Sequence, residues 1–144
     1  MRSYPLRMKK QLLLLTCAVG FMMPLPGAAE EETPLGKQME AMNDAYKAFR
    51  RETDPVKGAA LARDAQQAAL KSAAEIPSML AKMPDGPEKA KAMAEYRKMI
   101  GKLFVSFCEV EEAFLAGKIE EVAKIVENLK ELKKTGHDQF MEEE

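Results

Sequence analysis

The residues able to do chemistry in this chain are few, and they converge on one position. Among 144 residues there is a single histidine, His137, with two cysteines and no tryptophan. Zinc fingers, most metallohydrolase centres and Cys/His clusters need more ligands than these. No second histidine is left to serve as a base beside a nucleophile, and no glycine-rich phosphate loop is present. Hydrolase and transferase chemistry therefore lack their parts, and no catalytic residue is assigned. His137 ends the run Lys133-Lys134-Thr135-Gly136-His137, which interrupts an apolar stripe through Ile119, Val122, Val126 and Leu129 before Phe140 restores it. Gly136 alone lowers helix propensity by about 1 kcal/mol against alanine. A lysine, a glycine and a histidine where core side chains belong leave room for something that is not protein.

The elements that must position His137 follow from helical periodicity, which four segments show and which no strand-like alternation rivals. Thr33-Pro34 gives a cap and a first-turn proline, and Leu35, Met39, Met42, Tyr46 and Phe49 then recur at spacings of three and four. Thr53-Asp54-Pro55 repeats the start signal for an alanine-rich second helix carrying Ala59, Ala62, Ala65, Ala69 and Ala73, which Pro77 ends or kinks. Met83-Pro84-Asp85-Gly86-Pro87 reads as a turn opening a third helix, whose stripe is Met93, Tyr96, Ile100, Leu103, Phe107, Val110 and Phe114. Ala116-Gly117-Lys118 breaks the chain before the fourth helix. The spacing predicts an all-α, antiparallel up-down-up-down four-helix bundle.

That topology gives His137 a partner. The start of the first helix and the end of the fourth lie at the same end of such a bundle, so Met39 and His137 fall at similar heights facing one cavity. A thioether and an imidazole so placed can serve as axial haem ligands, the soft thioether favouring ferrous iron. On residue types alone the plainer readings stay open, namely a solvated histidine and methionines that merely pack a core.

The first 29 residues read as a removable secretory signal. Arg2, Arg7, Lys9 and Lys10 form a basic start, Leu12 to Met23 an apolar run too short for a comfortable span, and Gly27-Ala28-Ala29 a cleavage site. A retained anchor is the alternative. Cleavage leaves residues 30–144 as one domain with 18 basic against 23 acidic side chains, a net charge near −5. Nothing in that balance suggests nucleic-acid binding, and no membrane contact is expected after cleavage. Cys17 departs with the signal, and the lone Cys108 is expected to be buried as a small core hydrophobe.

The stretch from Leu35 to Phe140 resembles the soluble b-type cytochromes of the cytochrome b-562 family. The resemblance is carried by Leu35 to Asp44 with Met39 and Asn43-Asp44, by the connection from Pro77 to Pro84-Asp85-Gly86-Pro87-Glu88, by Gly117-Lys118, and by Leu129-Lys130 with His137 eight residues after Leu129. It implies a periplasmic bundle holding one haem between Met39 and His137. It also implies that Lys133 stands where the family has an arginine at the haem edge, whereas Met141 replaces a second arginine. The run before His137 has no cysteine, unlike the Cys-x-x-Cys-His of related c-type bundles, so the haem would be non-covalent. By register the pocket wall is Met42, Tyr46, Met93, Tyr96 and Phe140.

The expected function is electron transfer by a periplasmic, monomeric b-type cytochrome that meets redox partner proteins in transient contacts and is not an enzyme. Two alternatives are a haem-free exported bundle acting as a protein-binding scaffold, and a copper handler using Met39, Met42 and His137.

Overall fold

Three of the four long helices open with a proline in the first turn, where its missing N–H costs no helical hydrogen bond. In the computed structural model, which describes residues 33–141, α1 spans Pro34–Phe49, α2 Pro55–Ala73, α3 Ser78–Ala81, α4 Pro87–Leu115 and α5 Ile119–Phe140. Thr33 Oγ1 accepts the Gly36 N–H at 3.0 Å, and Asp54 Oδ1 accepts the Lys57 N–H at 2.9 Å, each satisfying a donor that the first helical turn leaves free. Between α1 and α2, one Glu52 carboxylate oxygen accepts the N–H groups of both Thr53 and Asp54, at 2.8 and 2.9 Å. These backbone donors hold the Glu52 carboxyl below the usual carboxylate range. The α4–α5 turn closes on Gly117 at φ 69°, with its N–H on the Phe114 carbonyl and the Lys118 N–H on the Ala113 carbonyl, both at 2.9 Å. A side chain there would strain the left-handed backbone, which is why glycine follows the helix.

Two features differ from the periodicity reading. Pro77 does not sit at the end of α2, which already stops at Ala73; it caps α3, a single turn that four residues are too few to announce by spacing. Cys108 is half-buried beside the core instead of inside it. Burial, followed by the charges of Glu111, Glu112 and Glu109, pushes its thiol pKa up.

The four long helices form an antiparallel up-down-up-down bundle, all helical among the described residues. Close packing runs α1 on α2, α2 on α4, and α4 on α5. Alanine makes this possible: Ala59, Ala62, Ala65 and Ala69 are essentially fully buried, letting α2 lie deep between α1 and α4. Gly58 goes further, since a Cβ there would collide with the Phe114 ring. Phe49 and Phe107 meet edge to face at 6.2 Å in the centre. The fourth side of the bundle is different, because α1 and α5 have no comparable backbone approach. Among the described residues no helix is long and apolar enough to cross a membrane. The segment read as a signal, residues 1–29, lies outside the described residues.

Candidate functional site

The open side is a cleft of about 550 Å³ between α1 and α5, floored by α4. Its volume lies within the range of about 300–1,000 Å³ usual for cofactor and ligand sites. Met39 lines it from α1 and His137 from α5. Met39 is half-buried and His137 is exposed, so the thioether belongs to the wall and the imidazole to the rim. Met42, Tyr46, Tyr96 and Phe140 also line the cleft, as does Lys133 at its edge. These seven sequence-selected residues come from three helices and meet around one space.

Several polar atoms of the wall are occupied by the protein itself. The Tyr96 hydroxyl donates to the Ser72 carbonyl at 2.7 Å. Burial first, and the Glu75 charge second, raise the Tyr96 pKa to about 12. The Tyr96 ring meets Phe140 edge to face at 5.5 Å, tying α4 to the last turn of α5. Across the mouth, Lys133 Nζ donates to Asn43 Oδ1 at 2.7 Å, joining α5 to α1. The same ammonium stands 6.0 Å from the centre of the Tyr46 ring, and the Arg50 guanidinium 5.9 Å from it. No buried side-chain nitrogen or oxygen among the described residues lacks a partner. Among the donors the cleft offers a guest are the Met39 sulfur and the His137 ring nitrogens.

Comparison with known proteins gives the family. The family model described as Cytochrome b562 matches residues 34–141, from the first residue of α1 to the residue after α5. The chain belongs to the cytochrome b562 family. Cytochromes b562 are haem-binding electron-transfer proteins and not enzymes, and the haem is of the b type. A search of curated proteins gives no match.

The residues present fit the group that cytochromes b562 carry. Both donor types suit haem iron, and both lie on the same cleft. Gly136, also in the lining, is packed by Met99: a Cβ built there would make an ordinary contact with the Met99 Cγ at 3.6 Å. Protein packing thus does not require glycine at that place. Among the described residues no group of three or more His, Cys, Asp or Glu side chains could hold a metal ion.

One expected wall residue lies elsewhere. Met93 is buried in the core and does not line the cleft. Tyr96 is the first residue of α4 to do so, and Ile76 and Pro77 of the α2–α3 connection, with Ser78 at the start of α3, also contribute to the wall. Met93 lies a helical turn beyond it. Conversely, Met99, Ile100, Leu103 and Phe107 line the cleft without having been singled out for it, although three of them share the α4 stripe with Tyr96. Met99 stands three residues after Tyr96, a helical neighbour on the same side.

Proposed function

We propose that this protein is a periplasmic electron carrier holding one non-covalent haem b in the α1–α5 cleft, with Met39 and His137 as its axial ligands. The observation that carries this reading is that the only histidine and the Met39 thioether line opposite helices of one apolar cleft at an open bundle side. When bound, the haem supplies a one-electron couple whose potential depends on axial ligands and burial.

The chain's own residues do the rest. Tyr96, Phe140, Ile100 and Leu103 exclude water from the interior wall, which lowers the local dielectric and favours the less charged redox state. Met39 supplies a soft donor from a half-buried position. His137 supplies a nitrogen donor from the rim, on a helix held to α4 by the Tyr96–Phe140 contact. Were Met39 and His137 both to hold the iron, no coordination position would be left open for substrate, which would suit electron transfer better than oxygen chemistry. Lys133, already turned across the mouth towards Asn43, places positive charge where it can meet an anionic edge of the guest. The absence of a cysteine in the run 133–137 supports non-covalent attachment.

A monomer meeting redox proteins in small, transient contacts fits a net charge near −5 for residues 30–144, which steers encounter and is screened by salt. Titration of the purified protein with haemin, oxidised and then reduced, tests the reading. One equivalent should give sharp low-spin reduced bands, and Met39→Ala or His137→Ala should lose binding or turn the spectrum high-spin. Weak uptake indifferent to both substitutions would leave a haem-free helical bundle.

A further inference from the structure

A second hollow lies between α1 and α5, towards the C-terminal end of α1. Tyr46, Arg50, Val126, Glu127, Lys130 and Lys133 line it, and two of them, Tyr46 and Lys133, also line the cleft. The Tyr46 ring is thus common to both spaces. Charge here runs against that of the whole molecule. Three cations face one carboxylate in the hollow, whereas residues 30–144 carry 18 basic against 23 acidic side chains. Arg50, Lys130 and Lys133 are all exposed. Among the described residues none of the three forms an ion pair, unlike Lys47 on Asp44, Arg63 on Glu111, Lys89 on Asp85 and Lys118 on Glu121. The Arg50 guanidinium and the Lys133 ammonium both approach the Tyr46 ring, at 5.9 and 6.0 Å from its centre. The ring gathers two like charges with no carboxylate paired to either, and an anionic surface laid over them would relieve their repulsion.

We propose that this hollow is a docking surface for an acidic face of a partner protein, held beside the cleft with the Tyr46 ring shared between dock and cleft. That the partner is a redox protein rests on the haem reading; the docking itself rests on charge. Each cation is exposed, so a small free anion touching one or two of them gains little. A protein face carrying several carboxylates meets all three at once, and the half-buried Tyr46 and Val126 give it apolar surface to cover. Where Lys133 turns to an anionic edge of the guest, Arg50 and Lys130 remain, since neither lines the cleft. The net negative charge of the chain acts at long range, but physiological salt screens it beyond about 8 Å, whereas groups in contact keep their attraction. Small, weak contacts of this kind are how electron-transfer partners meet.

The test titrates the isotope-labelled protein, haem-free and haemin-loaded, with a hexaglutamate peptide at low salt and follows the amide shifts. The shifts should centre on Tyr46, Arg50 and Lys130, fade with added salt, and be absent with hexalysine. In the double variant Arg50→Gln/Lys130→Gln, the peptide concentration at half-shift should rise about five-fold or more. Haemin affinity should stay that of wild type, because neither residue lines the cleft. In the loaded, reduced protein, ferricyanide serves as an anionic probe that takes one electron from the haem iron. It should oxidise wild type about three-fold or more faster than the double variant at low salt, and equally fast at high salt. Shifts spread over the whole surface, or unchanged in the double variant, would overturn the inference and leave the haem reading intact. Inorganic phosphate that saturates the same shifts at a lower concentration than the peptide would make the hollow a small-anion site and overturn it as well. Failure of the wild type to take up haemin would overturn the haem reading and the redox identity of the partner, and the peptide titration of the haem-free protein would still decide the docking surface.

Discussion

At the scale of single residues, Tyr96 is the side chain that links core and cleft. Its ring lines the cleft and meets Phe140, while its hydroxyl reaches the Ser72 carbonyl. That carbonyl also receives the Glu75 N–H at 3.1 Å. Tyr96→Phe therefore leaves no orphaned acceptor and should destabilise by only about 1 kcal/mol, measurable as a shift in the urea midpoint. The pH dependence has a definite sign. Folding raises the Tyr96 pKa to about 12 from an unfolded value near 10, so the folded state holds this proton more tightly. The resulting stability is complete below about pH 10 and declines as pH rises from there towards about 12. A rise of the pKa from about 10 to about 12 corresponds to about 2.7 kcal/mol, so the unfolding midpoint of wild type should meet that of Tyr96→Phe within this interval and fall below it towards about pH 12. Sequence reasoning could bring Met39 and His137 to one cleft because the bundle topology places them at the same end. It could not separate Met93 from Tyr96, because both satisfy the same stripe, and the level at which the wall begins depends on a connection that periodicity does not describe.

At the scale of elements, the helices show how glycine and alanine are used for opposite ends. α2 has few large side chains to bury, and its contribution is closeness. Gly58→Ala would drive a methyl into Phe114 and should cost about 1–3 kcal/mol, with the near-ultraviolet dichroism of the aromatic core changed in the same variant. The caps are more independent of packing. Thr33→Ala and Asp54→Ala each remove one acceptor from a first-turn N–H and should each lower stability by about 1 kcal/mol, nearly additively because the two sites share no partner. These starts were readable in the sequence, since cap and proline chemistry is local. The existence of α3 was not, because one turn has no period. Nor could stripe positions alone show that Lys133 turns across to Asn43, a contact between residues 90 apart in sequence.

At the scale of the whole molecule, burial is distributed unevenly. α4 carries eight buried residues over its length, whereas α5, with 22 residues, buries only Val122 and Leu129. Beyond Leu129 the helix is held by half-buried contacts such as Phe140 on Tyr96 and by the exposed Lys133–Asn43 bond. A helix end with so little apolar burial opens at low free energy compared with the α2–α4 core. The open side of the bundle, where the haem is proposed to bind, is thus also expected to be its least stable side. A guest that spans α1 and α5 and binds only the folded state adds stability by mass action, about 2.7 kcal/mol at a free concentration one hundred times its Kd. The gain should be local before it is global. Amide exchange of residues 130–140 and of the first turns of α1 should slow most when haemin is added, whereas α2 and α4 amides that exchange only by global unfolding slow by the mass-action amount alone. His137→Ala, which keeps the helix but removes the donor, should abolish the local protection and leave exchange in α2 as it is in the haem-free protein. Equal slowing of every helix in wild type would mean that the guest acts on the bundle as one unit, and that the open side is as firmly folded as the rest.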